Sequence, residues 1–115
     1  MGYDLDLESG KTFRMSNLMW PMAVELAEVY GWKTENDVLE GMVGLVSKSE
    51  AIAMADVLEE ALKDIAKHPR GAYLYLDRNM DRAKRKGELL DFWASHVWGL
   101  WPLVSFCRQG AFDVC

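Results

Sequence analysis

The chain has 115 residues, of which half are apolar and 27% are charged, a composition that indicates one globular domain and excludes global disorder. Its formal net charge of −5 is unevenly distributed, since residues 1–60 hold twelve acidic and four basic side chains and residues 61–115 hold six and nine. Because affinity for DNA depends on neutralising phosphates, the acidic first half argues against general nucleic-acid binding.

The first predicted element is a β-hairpin. Residues 3–8 alternate strictly between apolar and acidic side chains, and residues 12–16 alternate again, which is the period of strands with one buried face. Gly10 lies between the two segments and can adopt the positive φ that a tight turn requires. We therefore expect two antiparallel strands here.

A first helix is predicted over residues 18–30, where apolar side chains recur at helical spacing. Asn17 is placed to cap its N-terminus and Gly31 to cap its C-terminus. Residues 32–46 show no regular pattern, and a short helical turn is expected only near 36–42.

A second helix is predicted to follow Ser47 and to run to about residue 67. Ser47 and Glu50 have the spacing of a capping box, in which each side chain bonds the backbone N–H of the other. The apolar positions after them form one continuous stripe, which predicts the buried face of this helix. The stripe consists of Ala51, Met54, Ala55, Leu58, Ala61, Leu62 and Ile65.

The second half of the chain has a less regular pattern. Residues 72–86 fit a short strand or a helix, and Gly87 is expected to interrupt a helix there. A last helical region follows, in which Pro102 predicts a break or kink near residues 98–101, because proline removes a helical hydrogen bond. Residues 111–115 alternate again and predict a third strand that pairs with the hairpin.

Strands at both ends of the chain with helices between them predict a single α+β domain over residues 1–115. In this fold the N-terminal hairpin and the C-terminal strand form a small antiparallel sheet. We expect three to four helices to pack against one face of that sheet.

The cysteines and the chain start predict a cytoplasmic location. Cys107 lies in an apolar run and Cys115 is the last residue, which is not the arrangement of a disulfide framework. Residues 1–9 are acidic and alternating, unlike a signal peptide, and the apolar run 97–107 is shorter than a membrane span requires. No membrane association is therefore expected.

No catalytic, metal or cofactor site is predicted. Cys107 and His96 are the only Cys/His pair that could serve nucleophilic chemistry, but eleven positions of helix separate them by about 16 Å. The pattern favours a buried thiol and a partly buried histidine over a catalytic pair, since nothing resembling a catalytic sequence surrounds either residue. Glu88 and Asp91 share a helical face without the clustered ligands that a metal site needs.

Two charged surfaces are candidates for partner binding. Asp4, Asp6 and Glu8 line one face of the first strand, either as a solvated sheet face or as an acidic recognition surface, and Arg14 is expected opposite them. The segment 78–86 is strongly basic and fits either contact with RNA or a solvated helix face. Its basic residues are Arg78, Arg82, Lys84, Arg85 and Lys86.

A third candidate surface contains tryptophan. Glu88, Asp91 and Ser95 form a polar stripe at helical spacing, and the next position on that stripe is Trp98. Either another element of the chain covers Trp98, or it lies at an interface, where tryptophan is a frequent anchor. The predicted interface consists of Trp98, Leu100 and Trp101.

Three short motifs resemble a group of small bacterial proteins that begin with a β-hairpin. They are Trp20-Pro21, the helix end Tyr30-Gly31-Trp32, and the Phe-Cys-Arg-x-Gly-x-Phe segment at 106–112. Together with the hairpin, these motifs cover about a third of the chain, at its two ends. The resemblance implies a shared fold and no particular activity.

These patterns lead to three hypotheses of function. The first is a small cytoplasmic protein-binding module without catalytic activity, such as an inhibitor, an immunity-type protein, an adaptor or a self-associating subunit. The second is a nucleic-acid-associated protein that uses the basic segment 78–86. The third is an enzyme that depends on Cys107.

Overall fold

The computed structural model describes residues 2–34, 42–67 and 82–115, with side chains from residue 85 onward in the last range. These ranges form four strands and four helices, so the predicted α+β class is confirmed. In chain order the elements are β1 (Gly2–Leu7), β2 (Thr12–Ser16), α1 (Met19–Val29), β3 (Gly44–Val46), α2 (Lys48–Lys67), α3 (Arg82–Ala94), α4 (Val97–Cys107) and β4 (Phe112–Val114).

The four strands form one antiparallel sheet in the order β2-β1-β4-β3. The hairpin pairs Asp4 with Arg14, and β4 joins it by pairing Leu7 with Phe112, as the alternating patterns predicted. The prediction that residues 32–46 are irregular is wrong at the C-terminal end of that segment, because β3 forms there and pairs with β4. Three residues are too few to show a period, so only the pairing with β4 reveals this strand.

The hairpin turn has the geometry that its glycine predicts. The N–H of Leu7 donates to the carbonyl of Lys11 at 2.9 Å, and the N–H of Gly10 donates to the carbonyl of Leu7 at 3.0 Å. Gly10 has φ +92, so the turn is a three-residue loop that ends in a left-handed residue. This turn sets the register of the whole hairpin.

The helices cover one face of the sheet and enclose the core. The buried strand residues all lie on this face and include Leu5, Met15, Val46, Phe112 and Val114. The opposite face of the sheet carries mostly acidic and other polar side chains, as expected for an antiparallel sheet with one solvated side, together with the exposed Leu45.

The N-cap predicted for α1 is wrong, and its C-terminal cap is confirmed. Asn17 makes no capping bond, because the helix begins at Met19 and the hydroxyl of Ser16 accepts the Met19 N–H at 3.0 Å. At the other end Gly31 has φ +99, and the N–H of Trp32 donates to the carbonyl of Ala27. This is a Schellman motif.

The predicted capping box of α2 is confirmed. The Ser47 N–H donates to Oε1 of Glu50 at 2.9 Å, and the Glu50 N–H donates to the Ser47 hydroxyl at 3.2 Å. All seven residues of the predicted apolar stripe are buried. Local sequence thus specifies both the start of this helix and its buried face.

Ser47→Ala is expected to lower the free energy of unfolding by about 1 kcal/mol, since it leaves the Glu50 N–H without its capping acceptor. Urea denaturation followed by circular dichroism measures the change. Ser49→Ala is the matched control, because it removes an exposed serine of the same turn that forms no backbone cap. Equal losses for both variants would contradict the role of the capping box.

The predicted break points in α3 and α4 are wrong. Gly87 does not interrupt α3 but is buried inside it, so packing outweighs the cost of about 1 kcal/mol for glycine in a helix. The two helices separate at Ser95 and His96 instead of at residues 98–101. Pro102 lies inside α4 on its exposed side, where solvent can reach the carbonyl of Trp98 that loses its partner.

Some predicted elements fall outside the described ranges. Most of the short helical turn predicted near 36–42 and the first part of the segment 72–86 are among them. Within the described ranges, no helix combines the length and the apolar character that crossing a bilayer requires.

Candidate binding surface

Helix α4 exposes two tryptophans. Trp98 is 70% exposed and Trp101 is 54% exposed, so the structure places both on the surface of the described chain. Leu100 does not belong to this surface, because it is fully buried. The correction follows from helix geometry: Leu100 lies about 200° around the axis from Trp98 and faces the core with Leu103.

The two faces of α4 differ less in polarity than those of an ordinary amphipathic helix. Its buried face consists of Leu100, Leu103, Val104, Phe106 and Cys107. Its exposed face carries Trp98, Trp101 and Pro102 where charged residues would be expected. Apolar side chains that are grouped on an exposed helix face indicate a contact surface.

A groove separates α4 from the edge of the sheet. Its upper part has a volume of about 390 Å³ and lies between β2 and the start of α4. Its lower part has a volume of about 410 Å³, and the two parts share Phe13 and Pro102. The other apolar residues that line the upper part are Met15, Met19, Trp98 and Gly99.

Gly99 lets α4 approach the start of α1 closely at one end of this groove. A Cβ atom at Gly99 would lie 3.0 Å from Cε of Met19, which is tighter than most contacts between carbon atoms. Leu18, the neighbour of Met19, is 58% exposed and adds apolar surface at the start of α1.

The predicted acidic sheet face has internal partners. Arg14 Nε donates to Asp4 Oδ1 at 2.8 Å, and the Thr12 hydroxyl donates to Asp6 Oδ1 at 2.6 Å. Glu8 lies apart from them, in the exposed hairpin turn. The expected position of Arg14 is confirmed, and its charge offsets part of the acidic surface.

The described members of the basic segment face α1. Arg85 binds Glu25 of α1 with two nitrogens and donates to Glu88 at 2.7 Å, which raises the pKa of its guanidinium. The ammonium of Lys86 lies 4.2 Å from the centre of the Tyr30 ring, a cation–π distance. Arg78 is outside the described ranges, and of Arg82 and Lys84 only the helical backbone is described.

The structure does not bring Cys107 and His96 together. The Sγ of Cys107 is buried beside the Met54 sulfur at 3.8 Å, and burial raises the pKa of its thiol to about 12. The Nδ1 of His96 lies 2.9 Å from the carbonyl oxygen of Phe92, and the imidazole ring stacks on the Phe92 ring. These positions do not provide the thiolate and adjacent base that nucleophilic catalysis requires.

The side chains that could bind a metal ion are dispersed in the described part of the chain. Among residues 2–34, 42–67 and 85–115, no three His, Cys, Asp or Glu side chains are grouped so that they could hold a metal ion. The exposed thiol of Cys115 lies 3.4 Å from Asp6 Oδ2, and that hydrogen bond raises the pKa of the thiol.

Sequence reasoning identified Trp98 and Trp101 as candidate surface residues but did not identify the groove that Trp98 lines. Alternation predicts that Phe13 and Met15 face the core, which the buried Met15 confirms, but it does not predict that both also line a groove. Pro102 is interpreted from the sequence only as a helix breaker. No local signal shows that β2 is an edge strand, because the strand order depends on the pairing of β4 with β1.

The motifs behind the family resemblance have structural roles. The indole N–H of Trp20 donates to the Met42 carbonyl and that of Trp32 to the Glu50 carbonyl, both at 2.8 Å. The rings of Phe106 and Phe112 meet at 5.3 Å in the core. The chain matches no protein-family model, no curated protein and no solved structure.

Proposed function

We propose that this chain is a cytoplasmic protein-binding module without catalytic activity, and that it binds its partner through the groove between β2 and α4. The exposure of Trp98, which lines this groove, carries this proposal, and Trp101 adds exposed apolar surface three positions further along the same helix. Each large aromatic can bury roughly 150–250 Å² in a contact, and tryptophan is enriched among the residues that dominate binding energy. The inhibitor, immunity-type, adaptor and self-associating roles all use such a surface.

The charges and thiols support the other two hypotheses less well. Arg85 binds Glu25 and Lys86 lies over the Tyr30 ring, so they are not available to neutralise phosphates without losing those contacts. The buried Cys107 is protonated at neutral pH, because its pKa is raised to about 12. Cys107 and Cys115 are both free thiols, as a reducing cytoplasm would keep them.

Panning a random peptide library tests this proposal. The library is selected in parallel on the wild-type chain and on Trp98→Ala, a variant that removes exposed side-chain surface and should fold normally. We expect peptides that bind the wild type saturably and bind the variant about 30-fold more weakly, the effect of losing one interface anchor.

Light scattering measured over a range of protein concentrations completes the test, because it detects self-association. A wild-type dimer that Trp98→Ala dissociates without unfolding also supports the proposal, since the surface then binds a second copy. The proposal is wrong if the wild type stays monomeric and the library yields no binder that depends on Trp98. Trp101→Ala is the second variant to be compared with the wild type in both experiments, because Trp101 is exposed on the same helix.

A further inference from the structure

Strand β2 is an edge of the sheet, and within the described ranges no strand lies beyond it. The direction of its backbone groups follows from the hydrogen bonds of β1. Asp4 exchanges two bonds of 3.0 Å with Cys115, whereas Leu7 donates to Lys11. Residues 3, 5 and 7 therefore bond toward β2, and even-numbered residues of β1 bond toward the C-terminal strand.

The same alternation applies to β2. Phe13 and Met15 pair with Leu5 and Tyr3, so their N–H and C=O groups point at β1. The backbone groups of Thr12, Arg14 and Ser16 consequently point away from the sheet, toward the open edge. An exposed edge of this kind is a template for another strand.

Helix α4 runs along this open edge. The residues of α4 that line the groove are Trp98, Gly99, Pro102, Ser105 and Phe106. Trp98, Pro102 and Ser105 are spaced by four and three positions and so share one helix face. An edge strand on one side and a helix face on the other form a slot for an extended peptide, as in complexes where a peptide adds a strand to a sheet.

We infer, on the basis of the proposed function, that the partner inserts an extended segment of alternating apolar and acidic residues, which pairs with β2 as a fifth strand. Its backbone bonds the outward groups of β2, and its apolar side chains enter the groove between Phe13 and Trp98.

Strand β1 shows which side chains suit β2. It places Leu5 and Tyr3 opposite Phe13 and Met15 on the core side, and Asp4 opposite Arg14 on the outer face. A strand on the open side meets the same alternation, so an apolar residue faces the groove and a carboxylate meets Arg14. The Arg14 side chain is 79% exposed, and its guanidinium has five donors, enough for Asp4 and a second carboxylate.

The charges of β2 also favour a different chain over a second copy. If the β2 strands of two copies paired antiparallel, Arg14 of one would lie opposite or near Arg14 of the other. Lys11 adds a further positive charge at the start of β2. Basic side chains on an edge oppose self-pairing, whereas an acidic strand removes the repulsion.

Hydrogen exchange measured by NMR tests the inference, with a synthetic peptide of the sequence of residues 2–8 as the probe. When free peptide exceeds its dissociation constant tenfold, exchange of the Thr12, Arg14 and Ser16 amides should slow by about tenfold. The control peptide carries lysine at both aspartate positions and should not slow exchange. A peptide that replaced β1 would leave these three exchange rates unchanged, which would contradict strand addition.

Two variants of Arg14 distinguish the contribution of backbone hydrogen bonds to peptide binding from the contribution of the Arg14 charge. Arg14→Pro removes an outward N–H while sparing the bonds to β1, so it should abolish peptide binding. Arg14→Gln keeps that N–H and should retain binding that is weaker and less sensitive to salt. If Arg14→Pro does not fold, Trp98→Ala serves as the second variant and should weaken peptide binding about 30-fold.

The outcomes distinguish this inference from the proposed function. If panning yields binders that depend on Trp98 but no ligand protects the β2 amides, strand addition is wrong and the binding module stands. If neither is found and the wild type is also monomeric, both are wrong. Slow exchange of Thr12, Arg14 and Ser16 in the free protein would show that another part of the chain covers the edge, and would overturn the inference.

Discussion

Trp20→Ala is expected to lower the free energy of unfolding by about 3–5 kcal/mol, whereas Trp98→Ala should change it by no more than about 0.5 kcal/mol. The two variants make the same substitution in opposite environments. Trp20 is fully buried, and its ring packs edge-on against Phe112 with 6.3 Å between the ring centres. Trp98 is mostly exposed, so its removal leaves no cavity.

Trp20 also links two separate parts of the chain. Its indole N–H donates to the Met42 carbonyl, 22 positions away, and alanine leaves that acceptor without its partner. Since small domains are stable by roughly 5–15 kcal/mol, the variant should lose a large fraction of the total.

Urea denaturation of the two variants and the wild type, followed by circular dichroism, gives the comparison. A Trp98→Ala variant as unstable as Trp20→Ala would show that Trp98 is covered in solution. The surface proposed for partner binding would then not exist in the free chain.

A thiol reagent at neutral pH is expected to modify Cys115 and to leave Cys107 intact in the folded protein. Burial raises the pKa of Cys107 from 9.0 to about 12, which lowers its thiolate fraction about a thousandfold. Cys115 is exposed, although its hydrogen bond to Asp6 raises the pKa of that thiol as well.

Peptide mapping by mass spectrometry after alkylation identifies which thiol has reacted. Cys115→Ser is the matched variant, because it leaves Cys107 as the only thiol, and urea provides the positive control by exposing it. Rapid alkylation of Cys107 in the folded Cys115→Ser protein would contradict the buried position and would revive the hypothesis of a Cys107-dependent enzyme.

The raised pKa of Cys107 also predicts that the fold loses stability in alkali. Above about pH 9 the thiol ionises in the unfolded chain but stays protonated in the folded one, so the unfolded state binds fewer protons. The free energy of unfolding should therefore fall between about pH 9 and 12, by about 1.4 kcal/mol per pH unit. Burial and the Asp64 hydrogen bond raise the pKa of Tyr30, which adds a loss of the same sign.

Urea denaturation at a series of pH values measures this slope. Cys107→Ala should have a shallower slope than the wild type, whatever its own stability at pH 7. Equal slopes would show that Cys107 titrates normally in the folded chain.

Local sequence determined the elements whose signal lies within a few residues. The strands of the hairpin follow from strict alternation, and the turn follows from a glycine that can adopt φ +92. Helix α2 begins at a capping box and buries all seven residues of its stripe, because helical spacing places them on one face. From these elements and the alternating C-terminal residues, the α+β class could be predicted.

Tertiary structure decided every feature that depends on a distant partner. Strand β3 exists because β4 lies beside it, and Gly87 stays helical because α3 is packed. Arg85 is held by Glu25, 60 positions away, which its basic neighbours could not indicate.

The features of the candidate binding surface likewise fall into those that the sequence indicates and those that only the fold reveals. The sequence singled out Trp98, because a polar stripe of period 3.6 ends there, and it grouped Leu100 with Trp98 only because the two are close in the chain. The fold alone separated them and made β2 an edge beside α4. The sequence by itself thus determined local periodicity and capping, whereas tertiary packing decided which apolar side chains remain exposed, since burial depends on residues brought together from distant parts of the chain.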